Sequence, residues 1–218
     1  MKTALLFGST GLVGSHVLNQ LIQNDNYSKI KIFVRSSIQI NNSKIEIIQT
    51  DFNNLKNHRE DIKGDDCFFC IGTTKKNSPD KNEYKRVELE VPKQVAQIAK
   101  SNLVNSFVFV SSGYADPKSS GDYLKFKGLV EEELKRLNFS KLGIMRPSFL
   151  LGNRQEKRVG EKIGIFVFKL LSPLFLGPLK KMKPIHSATV AKAMIRTANE
   201  KLEKKVFESN EIAELVLN

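Results

Sequence analysis

Short apolar segments alternate with longer amphipathic ones over the first two thirds of the chain. Apolar runs of strand length predict buried strands at Thr3–Phe7, Lys29–Val34, Ile45–Gln49, Asp66–Ile71, Ser106–Val110 and Lys141–Met145. Apolar residues at helical spacing predict helices at Leu12–Asn24, Glu83–Ser101 and Tyr123–Asn138. Pro92 interrupts the second of these regions, so its main helix is predicted to begin near Val91. This alternation favours an α/β fold, a doubly wound parallel sheet with helices on both faces.

The pattern changes after Pro147. Residues 148–185 combine loops, a short predicted helix at Ile163–Leu171 and an apolar stretch interrupted by prolines, which predicts a small C-terminal cap on the sheet. Ser187 and Ser209 precede two further helical patterns and are predicted to be their N-caps. Because no linker or repeat separates these parts, we expect all 218 residues to form a single domain.

The composition is that of a globular protein with an excess of basic residues. Of the residues, 40% are hydrophobic and 27% are charged, which is enough apolar material for a core and excludes wholesale disorder. The net charge of +12 suits an anionic ligand, but it is equally typical of a solvated, lysine-rich surface. The short basic pairs lack interleaved aromatic residues, so direct binding to nucleic acid is not expected.

Two cysteines and three histidines exclude several kinds of chemistry. Cys67 and Cys70 lie three positions apart in a predicted strand, so their side chains point to opposite faces. We therefore expect buried structural thiols rather than a redox or zinc motif. The scattered histidines predict no metal site. With no disulfide framework and no secretory signal, the sequence predicts a cytoplasmic protein.

The longest apolar stretch, Ile163–Leu179, is not expected to cross a membrane. It is too short for a bilayer and is interrupted by Lys169, Pro173 and Pro178. Three roles fit its composition: a lid over the site, a contact in a homodimer, and a membrane-surface contact.

A glycine-rich turn connects the first predicted strand to the first predicted helix. It consists of Gly8, Ser9, Thr10, Gly11, Leu12, Val13 and Gly14, a GxxGxxG pattern. Glycine permits a tight turn and the close approach of backbone N–H groups to a diphosphate, and the helix that follows presents its free N–H groups to the same anion. In the first strand-to-helix turn of an α/β chain, this pattern predicts a dinucleotide-binding site.

The ends of the following strands indicate which dinucleotide binds. The second strand ends in Arg35 and Ser36, where an acidic residue would hold the ribose 2′-hydroxyl of NAD. Arginine instead favours the 2′-phosphate of NADP, so we expect NADP(H) in preference to NAD(H). Asp51 and Phe52, after the third strand, are predicted to border the adenine. The turn after the fourth strand completes the predicted cofactor site with Gly72, Thr73 and Thr74.

A serine, a tyrosine and a lysine mark the predicted reacting centre. Tyr123 and Lys127 are four positions apart in a predicted helix and therefore share one face. An ammonium group beside a phenol favours the phenolate and lowers its pKa, as proton transfer near neutral pH requires. Ser112, just beyond the strand Ser106–Val110, supplies a hydroxyl that can polarise a substrate carbonyl. A YxxxK pair alone is common on helix surfaces, but here it follows a dinucleotide motif.

Together these motifs resemble the atypical branch of the short-chain dehydrogenases, most of all the Tat-interacting oxidoreductase-like proteins. The resemblance spans nearly the whole chain and is carried by Gly8–Gly14, Cys70–Thr74, Ser111–Ser112, Tyr123, Lys127–Gly128, Arg146–Pro147, Asn153–Glu156 and Ile185–Ser187. It implies an NADPH-binding Rossmann-like fold with Ser112, Tyr123 and Lys127 as the catalytic set. The implied roles are carbonyl polarisation for the serine, proton transfer for the tyrosine, and binding of the nicotinamide ribose for the lysine.

The resulting hypothesis is an NADP(H)-dependent oxidoreductase that acts on a small carbonyl or alcohol. The segment after Pro147 is shorter than in the nucleotide-sugar members of the family, which argues against a substrate of that kind. Two alternatives stay open: an NADPH-binding sensor or scaffold without turnover, and an epimerase or dehydratase with a tightly held cofactor. His186 and the basic cluster of Arg154, Lys157 and Arg158 are candidates for contacts with the substrate.

Overall fold

The computed structural model describes residues 1–152 and 181–217. The strands of this part, β1 to β9 in chain order, are Lys2–Phe7, Tyr27–Val34, Ile45–Gln49, Asp66–Phe69, Ser106–Val110, Lys141–Arg146, Leu150–Leu151, Ile185–His186 and Val206–Glu208. Seven of the described strands form one sheet in the order β3-β2-β1-β4-β5-β6-β9, and β7 pairs separately with β8. All of these pairings are parallel, which confirms the predicted parallel sheet.

Helices cover both faces of the sheet. In the described residues, α1 to α6 are Gly14–Gln23, Lys81–Lys85, Val91–Ser101, Asp122–Leu137, Ser187–Asn199 and Ser209–Leu217. A 3-10 helix lies at Leu55–His58, and a π-helical turn, Arg86–Glu90, joins α2 to α3. Helices α1, α5 and α6 contribute to the core on one face, and α3 and α4 contribute to the core on the other. The chain therefore has the predicted doubly wound α/β fold.

The two cores follow from the alternation of side chains along the strands. Leu5 and Phe69 belong to the core on the α3–α4 face, and Leu6 and Phe68 to the core on the opposite face. After β1 the chain crosses to α1 on one face, whereas after β4 it crosses to α3 on the other. The carboxyl ends of these two neighbouring strands therefore border a crevice, the position at which sheets of this kind bind ligands.

The helices differ in detail from the sequence predictions. Helix α1 begins at Gly14 rather than at Leu12, because the glycine turn extends to Val13. The helical region that was predicted to be interrupted at Pro92 is continuous there. Pro92 is the second residue of α3 and directly follows the π-helical turn, so the N–H that proline lacks falls where the helix changes from π-helical to α-helical hydrogen bonding.

Two predicted helix caps and one missed strand need correction near the C-terminus. Ser209 is the first residue of α6 and not its N-cap, and its hydroxyl donates to the Lys183 carbonyl at 2.7 Å. The N-cap of α5 is His186 and not Ser187, because His186 Nδ1 accepts a hydrogen bond from the Ala188 N–H at 3.3 Å and Ser187 is already helical. The strand β9, which pairs with β6, was not predicted from the sequence. Three residues are too few to produce a periodic signal.

The central part of the predicted cap lies outside the described residues. This applies to the predicted helix and apolar stretch beginning at Ile163, to the motif Asn153–Glu156, and to the cluster of Arg154, Lys157 and Arg158. In the part of the chain that the structure describes, no helix is both long and apolar enough to cross a membrane.

The two cysteines are free thiols on opposite faces of the sheet, as predicted. Cys67 is part of the core on the α3–α4 face, whereas Cys70 packs against the core on the opposite face. Burial raises the pKa of Cys70 to about 12 and also raises the pKa of Cys67. Both thiols therefore stay protonated near neutral pH and are poor nucleophiles.

A buried carboxylate connects the amino ends of several strands. Asp66, the first residue of β4, is fully buried and accepts hydrogen bonds from Ser106 Oγ at 2.6 Å and from the Tyr27 hydroxyl at 2.7 Å. Lys2 Nζ lies 3.0 Å from the same carboxylate, and Asn199 Nδ2 donates to the Tyr27 hydroxyl at 3.1 Å. Burial and the Asp66 charge raise the pKa of Tyr27, so that its hydroxyl remains a donor. This network holds β1, β2, β4 and β5 together at the edge of the sheet opposite the crevice.

Replacing Asp66 by alanine is expected to lower the free energy of unfolding by about 2–4 kcal/mol. The substitution leaves two buried hydroxyl groups and the Lys2 ammonium without their common acceptor. Urea denaturation followed by circular dichroism measures the change. Asp25→Ala, at an exposed position, is the matched control and should change stability by less than about 0.5 kcal/mol. Equal losses in the two variants would contradict the structural role of this network.

Candidate functional site

The glycine turn between β1 and α1 brings two backbone segments into contact. Gly8 has a φ of +87°, in the left-handed region that favours glycine. A Cβ atom at Gly14 would lie only 2.0 Å from the Gly8 carbonyl oxygen, and one at Gly8 would lie 2.9 Å from the carbonyl carbon of Cys70. These glycines are therefore required for the turn itself, and they place the start of α1 against the end of β4.

The amino end of α1 is left open for an anion. Its N-cap, Val13, makes no capping hydrogen bond through its side chain, and the first turn contains no acidic residue. The hydroxyl of Ser9 is buried without a hydrogen-bond partner. An uncapped helix N-terminus next to an unpaired hydroxyl fits the diphosphate of a dinucleotide, which accepts hydrogen bonds from both.

A pocket of about 240 Å³ lies next to this turn, at the carboxyl ends of the strands. Eight of the residues that were predicted to bind the cofactor line it, namely Gly8, Ser9, Thr10, Gly11, Arg35, Phe52, Gly72 and Thr73. The other predicted residues do not line it in the described part of the chain: Leu12, Val13, Gly14, Ser36, Asp51 and Thr74, which are close to lining residues along the chain, and Tyr123 and Lys127 of the predicted reacting centre. The structure thus brings together residues from four separate strand ends.

Asp51 and Phe52 have different surroundings although they are neighbours. Phe52 lines the pocket, and its N–H donates to Thr50 Oγ1 at 3.1 Å. The Asp51 carboxylate instead accepts two hydrogen bonds from Asn53, each 2.8 Å long, and these bonds lower its pKa. In this structure Phe52 is therefore the member of the predicted pair that faces the pocket.

A second arginine, which the sequence analysis did not single out, lines the pocket together with Arg35. Arg86, the first residue of the π-helical turn, binds Glu83 through Nε and Nη2 at 2.7 and 2.8 Å. Its third nitrogen, Nη1, is buried without a hydrogen-bond partner. The hydrogen bonds from Arg86 lower the pKa of Glu83, and the charge of Arg35 contributes to the same shift. Two guanidinium groups therefore lie close to one side of the pocket.

The predicted tyrosine and lysine are close together on α4. Tyr123 is in the first turn and is 39% exposed, whereas the side chain of Lys127 is only 4% exposed. Lys127 Nζ lies 5.9 Å from the centre of the Tyr123 ring and 4.9 Å from that of Phe109. The same ammonium donates to the carbonyl of Val110 at 3.4 Å. The structure thus places a buried cation under a half-exposed phenol.

Ser112 lies at the carboxyl end of the neighbouring strand. It follows Val110, the Lys127 acceptor, by two residues, and its hydroxyl donates to the Gly113 carbonyl at 3.3 Å. The preceding residue, Ser111, is buried and donates to Glu131 at 2.6 Å. The chain just before Ser112 is therefore attached to α4.

A buried carboxylate on α4 fixes the helix against the sheet. Glu131 receives two hydrogen bonds from Arg146, at 2.9 Å to Oε1 and 2.5 Å to Oε2. Arg146 also donates to Glu208 of β9 at 3.1 Å and to the Ala115 carbonyl at 3.2 Å. The two carboxylates raise the pKa of Arg146, so it is always charged. This arginine is part of the Arg146–Pro147 motif, and it connects the ends of β6 and β9 to the helix that carries Tyr123.

The ammonium of Lys127 has a partner that the sequence analysis also missed. Glu88, in the π-helical turn, has its Oε2 3.0 Å from Lys127 Nζ, and its Oε1 accepts a hydrogen bond from the Thr73 N–H at 2.5 Å. The Glu88 side chain is fully buried. No local pattern could have identified Glu88 or Arg86, because their roles depend on where the π-helical turn lies relative to β4 and α4.

Among the described residues, the other candidates from the sequence add no group to the predicted reacting centre. His186 caps α5, and its ring meets that of His16 edge-on, with 6.0 Å between the ring centres. Among residues 1–152 and 181–217, no group of three or more histidines, cysteines or carboxylates is placed to hold a metal ion.

Comparison with known proteins identifies the class to which the chain belongs. Residues 8–201 match the NAD(P)H-binding family, and the chain is a member of it. It is 31% identical over 228 residues to the mitochondrial protein FMP52-1 of Scheffersomyces stipitis, an alignment that covers 98% of each chain. It is also 31% identical over 166 residues to protein HTATIP2 of Rattus norvegicus, covering 73% of this chain and 67% of the other. The predicted resemblance is thereby confirmed.

A solved structure supports the same fold. The UDP-N-acetylglucosamine 4-epimerase from Methanobrevibacter ruminantium superposes with a TM-score of 0.70 over 94% of this chain and 74% of its own. The two sequences are 18% identical. At this level of identity the similarity concerns the Rossmann-like fold and not the reaction.

The predicted cytoplasmic location is wrong. Fungal relatives from Scheffersomyces stipitis, Meyerozyma guilliermondii, Coccidioides immitis and Debaryomyces hansenii are all named mitochondrial proteins. A low cysteine content excludes a disulfide framework, but it does not identify which compartment holds the protein.

Replacing Gly14 by alanine is expected to lower the free energy of unfolding by about 1–3 kcal/mol. The new methyl group would overlap the Gly8 carbonyl oxygen, so the turn and α1 must move apart. Gly121→Ala is the matched control, because the nearest atom to a Cβ there is Ser119 Oγ at 3.8 Å. Thermal and urea denaturation of the two variants provide the comparison. Unchanged stability in Gly14→Ala would show that the turn is less tightly packed than the structure indicates.

Proposed function

We propose that this protein is an NADP(H)-dependent oxidoreductase of the short-chain dehydrogenase type, which acts on a small carbonyl or alcohol. The observation that carries the proposal is the buried Lys127 ammonium under the half-exposed ring of Tyr123, close to Gly72 in the wall of the pocket. A protected cation next to an accessible phenol suits proton transfer, since the phenol can reach a substrate while the cation stays in place.

The proposed cofactor position follows the predicted site residues. The turn Gly8–Gly14 would hold the diphosphate of a bound dinucleotide, with the unpaired hydroxyl of Ser9 as a further donor. Arg35 and Phe52, which line the pocket after β2 and β3, would hold the adenosine, with Ser36 and Asp51 next to them along the chain. Gly72, Thr73 and Thr74 would border the nicotinamide on the side toward Lys127. Gly72 supports this path, because it lines the pocket and a Cβ there would lie 3.9 Å from Lys127 Nζ.

When bound, the cofactor would supply or accept a hydride at its nicotinamide ring. In the direction of reduction, Tyr123 would donate its phenolic proton to the carbonyl oxygen that becomes the alcohol oxygen of the product. The hydroxyl of Ser112 hydrogen-bonds the same oxygen and polarises the carbonyl. Lys127 binds the nicotinamide ribose, and its charge stabilises the phenolate that remains. The reverse sequence oxidises an alcohol.

The proposed preference for NADP(H) rests on the cationic side of the pocket. Arg35 is at the predicted position for a 2′-phosphate, and Arg86 has a buried, unpaired nitrogen close by. Guanidinium groups bind phosphate through paired hydrogen bonds, and an adenosine without the 2′-phosphate would offer them no such acceptor.

Arg35→Glu is expected to reverse the cofactor preference. We expect the wild-type protein to bind NADPH at least about tenfold more tightly than NADH. The variant should bind NADPH less tightly than NADH, because a carboxylate repels the 2′-phosphate and accepts a hydrogen bond from a ribose hydroxyl. Isothermal titration calorimetry with each cofactor measures both affinities. Arg59→Glu, an equal change of charge at an exposed residue, should leave the preference unaltered. Equal affinities of the wild type for NADPH and NADH would contradict the role of Arg35.

Tyr123→Phe is expected to lower kcat at least about a hundredfold while leaving NADPH affinity within about threefold. The ring and its packing are kept, and only the transferable proton is lost. A panel of small aldehydes and ketones, assayed by NADPH absorbance, identifies the substrate and supplies the rates. Tyr114→Phe removes a hydroxyl from another exposed tyrosine and serves as the control. Undiminished turnover in Tyr123→Phe would overturn the proposed mechanism.

The same assays separate the proposal from its two alternatives. If the protein binds NADPH but does not oxidise it in the presence of any substrate of the panel, the protein is a sensor or scaffold. A protein that is purified with bound cofactor, and that converts substrate without net change in the cofactor, would be an epimerase or dehydratase. The Tyr123 and Lys127 pair favours turnover, because a binding protein has no need of a transferable proton beside a buried cation.

A further inference from the structure

The π-helical turn Arg86–Glu90 places two side chains at different parts of the candidate site. A π-helical turn contains more residues per turn than an α-helix and is often found at functional sites, since it reorients neighbouring side chains. Here Arg86 lines the pocket beside Glu83, whereas Glu88 reaches the ammonium of Lys127. The turn therefore connects the adenosine side of the pocket with the reacting centre.

The two oxygen atoms of Glu88 have different partners, an ammonium in an ion pair and a backbone N–H in a hydrogen bond. Oε2 lies 3.0 Å from Lys127 Nζ, and Oε1 accepts the N–H of Thr73, which belongs to the turn after β4. Neither charged side chain has more than 4% of its surface exposed. A Cβ at Gly72 would lie 3.4 Å from Oε1, so this glycine, which lines the pocket, packs directly against the carboxylate. One carboxylate thus holds both the proposed ribose-binding lysine and the pocket wall beside it.

The charges around Lys127 come from several elements, and Glu88 is the nearest of them. The other titratable groups that interact with this cluster are Glu131 and Tyr123 on α4, Cys70 after β4, and Tyr84 on α2. Burial by itself lowers the pKa of Lys127, but the charge of Glu88, with smaller contributions from Tyr123 and Glu131, shifts it upward overall. The ammonium is therefore held in its charged form by its carboxylate partner.

We propose that Glu88 is a positioning residue that keeps Lys127 charged and correctly oriented for the nicotinamide ribose. This role rests on the proposed function, since it presumes that Lys127 contacts a bound dinucleotide. Without the carboxylate, the lysine would be a buried and isolated cation, and it would lose its proton at a lower pH. A neutral lysine forms weaker hydrogen bonds to the ribose hydroxyls than an ammonium does.

The experiment measures NADPH affinity by calorimetry between pH 7 and pH 9.5. In the wild type the affinity should vary by less than about threefold, whereas in Glu88→Gln it should fall about tenfold over this range as the lysine loses its proton. Glu88→Asp restores a carboxylate and should return the profile toward that of the wild type. Glu90→Gln is the matched control, because Glu90 lies in the same turn but forms an exposed ion pair with Lys85.

A purely structural role for Glu88 would change stability or overall affinity without changing the pH profile. Parallel pH profiles of NADPH affinity for Glu88→Gln and the wild type would therefore overturn the role of Glu88. In that case the proposed function would still stand, because the wild type binds NADPH. If the wild type and Glu90→Gln bind no NADPH at any pH, the proposed function itself fails, and this role fails with it.

A second variant tests the ion pair without any cofactor. If Glu88→Gln does not fold, the cause should be the unpaired ammonium, so the double variant with Lys127→Met should regain a cooperative melting transition. A double variant that is as unstable as Glu88→Gln would overturn the proposed link between the two residues, whatever the protein binds.

Discussion

The close contact of backbone with backbone in the turn after β1 is the constraint on which the rest of the site depends. Hydrogen is the largest substituent that fits at Gly14 against the Gly8 carbonyl, and Gly8 in turn packs against the backbone at Cys70. This contact brings the uncapped N-terminus of α1 to the ends of β1 and β4. Arg35, after β2, and Gly72, after β4, line the pocket from the two strands that flank β1.

Three buried carboxylates then fix the elements around the site, each with its own cation. Asp66 holds Lys2 at the amino edge of the sheet, Glu131 holds Arg146 behind α4, and Glu88 holds Lys127 beneath Tyr123. A buried carboxylate is costly unless it is paired and hydrogen-bonded, so each of these groups restricts its surroundings to one arrangement. The first two lie outside the pocket and orient the sheet and α4. The third lies next to the proposed reacting centre.

Much of the fold could be predicted because its signals are local. The strands Ile45–Gln49 and Ser106–Val110 have the predicted ends, since each is a compact apolar run between polar segments. The glycine turn could also be predicted, because glycines at this spacing indicate a backbone geometry that few other residues can adopt. The strand Val206–Glu208 is too short to produce such a signal. The cap at His186 was missed because histidine is an uncommon N-cap residue.

The sequence by itself determined the fold class, because strands and helices alternate along the chain. It also determined the glycine turn and the Tyr123 and Lys127 pair, because each depends on spacing within a single segment. Only the tertiary structure decided that Glu88 meets Lys127, that Arg86 joins Arg35 at the pocket, and that Asp51 turns toward Asn53. These contacts join residues from different elements or depend on how one loop bends. Their geometry follows from the packing of helices on the sheet, which no periodicity along the chain encodes.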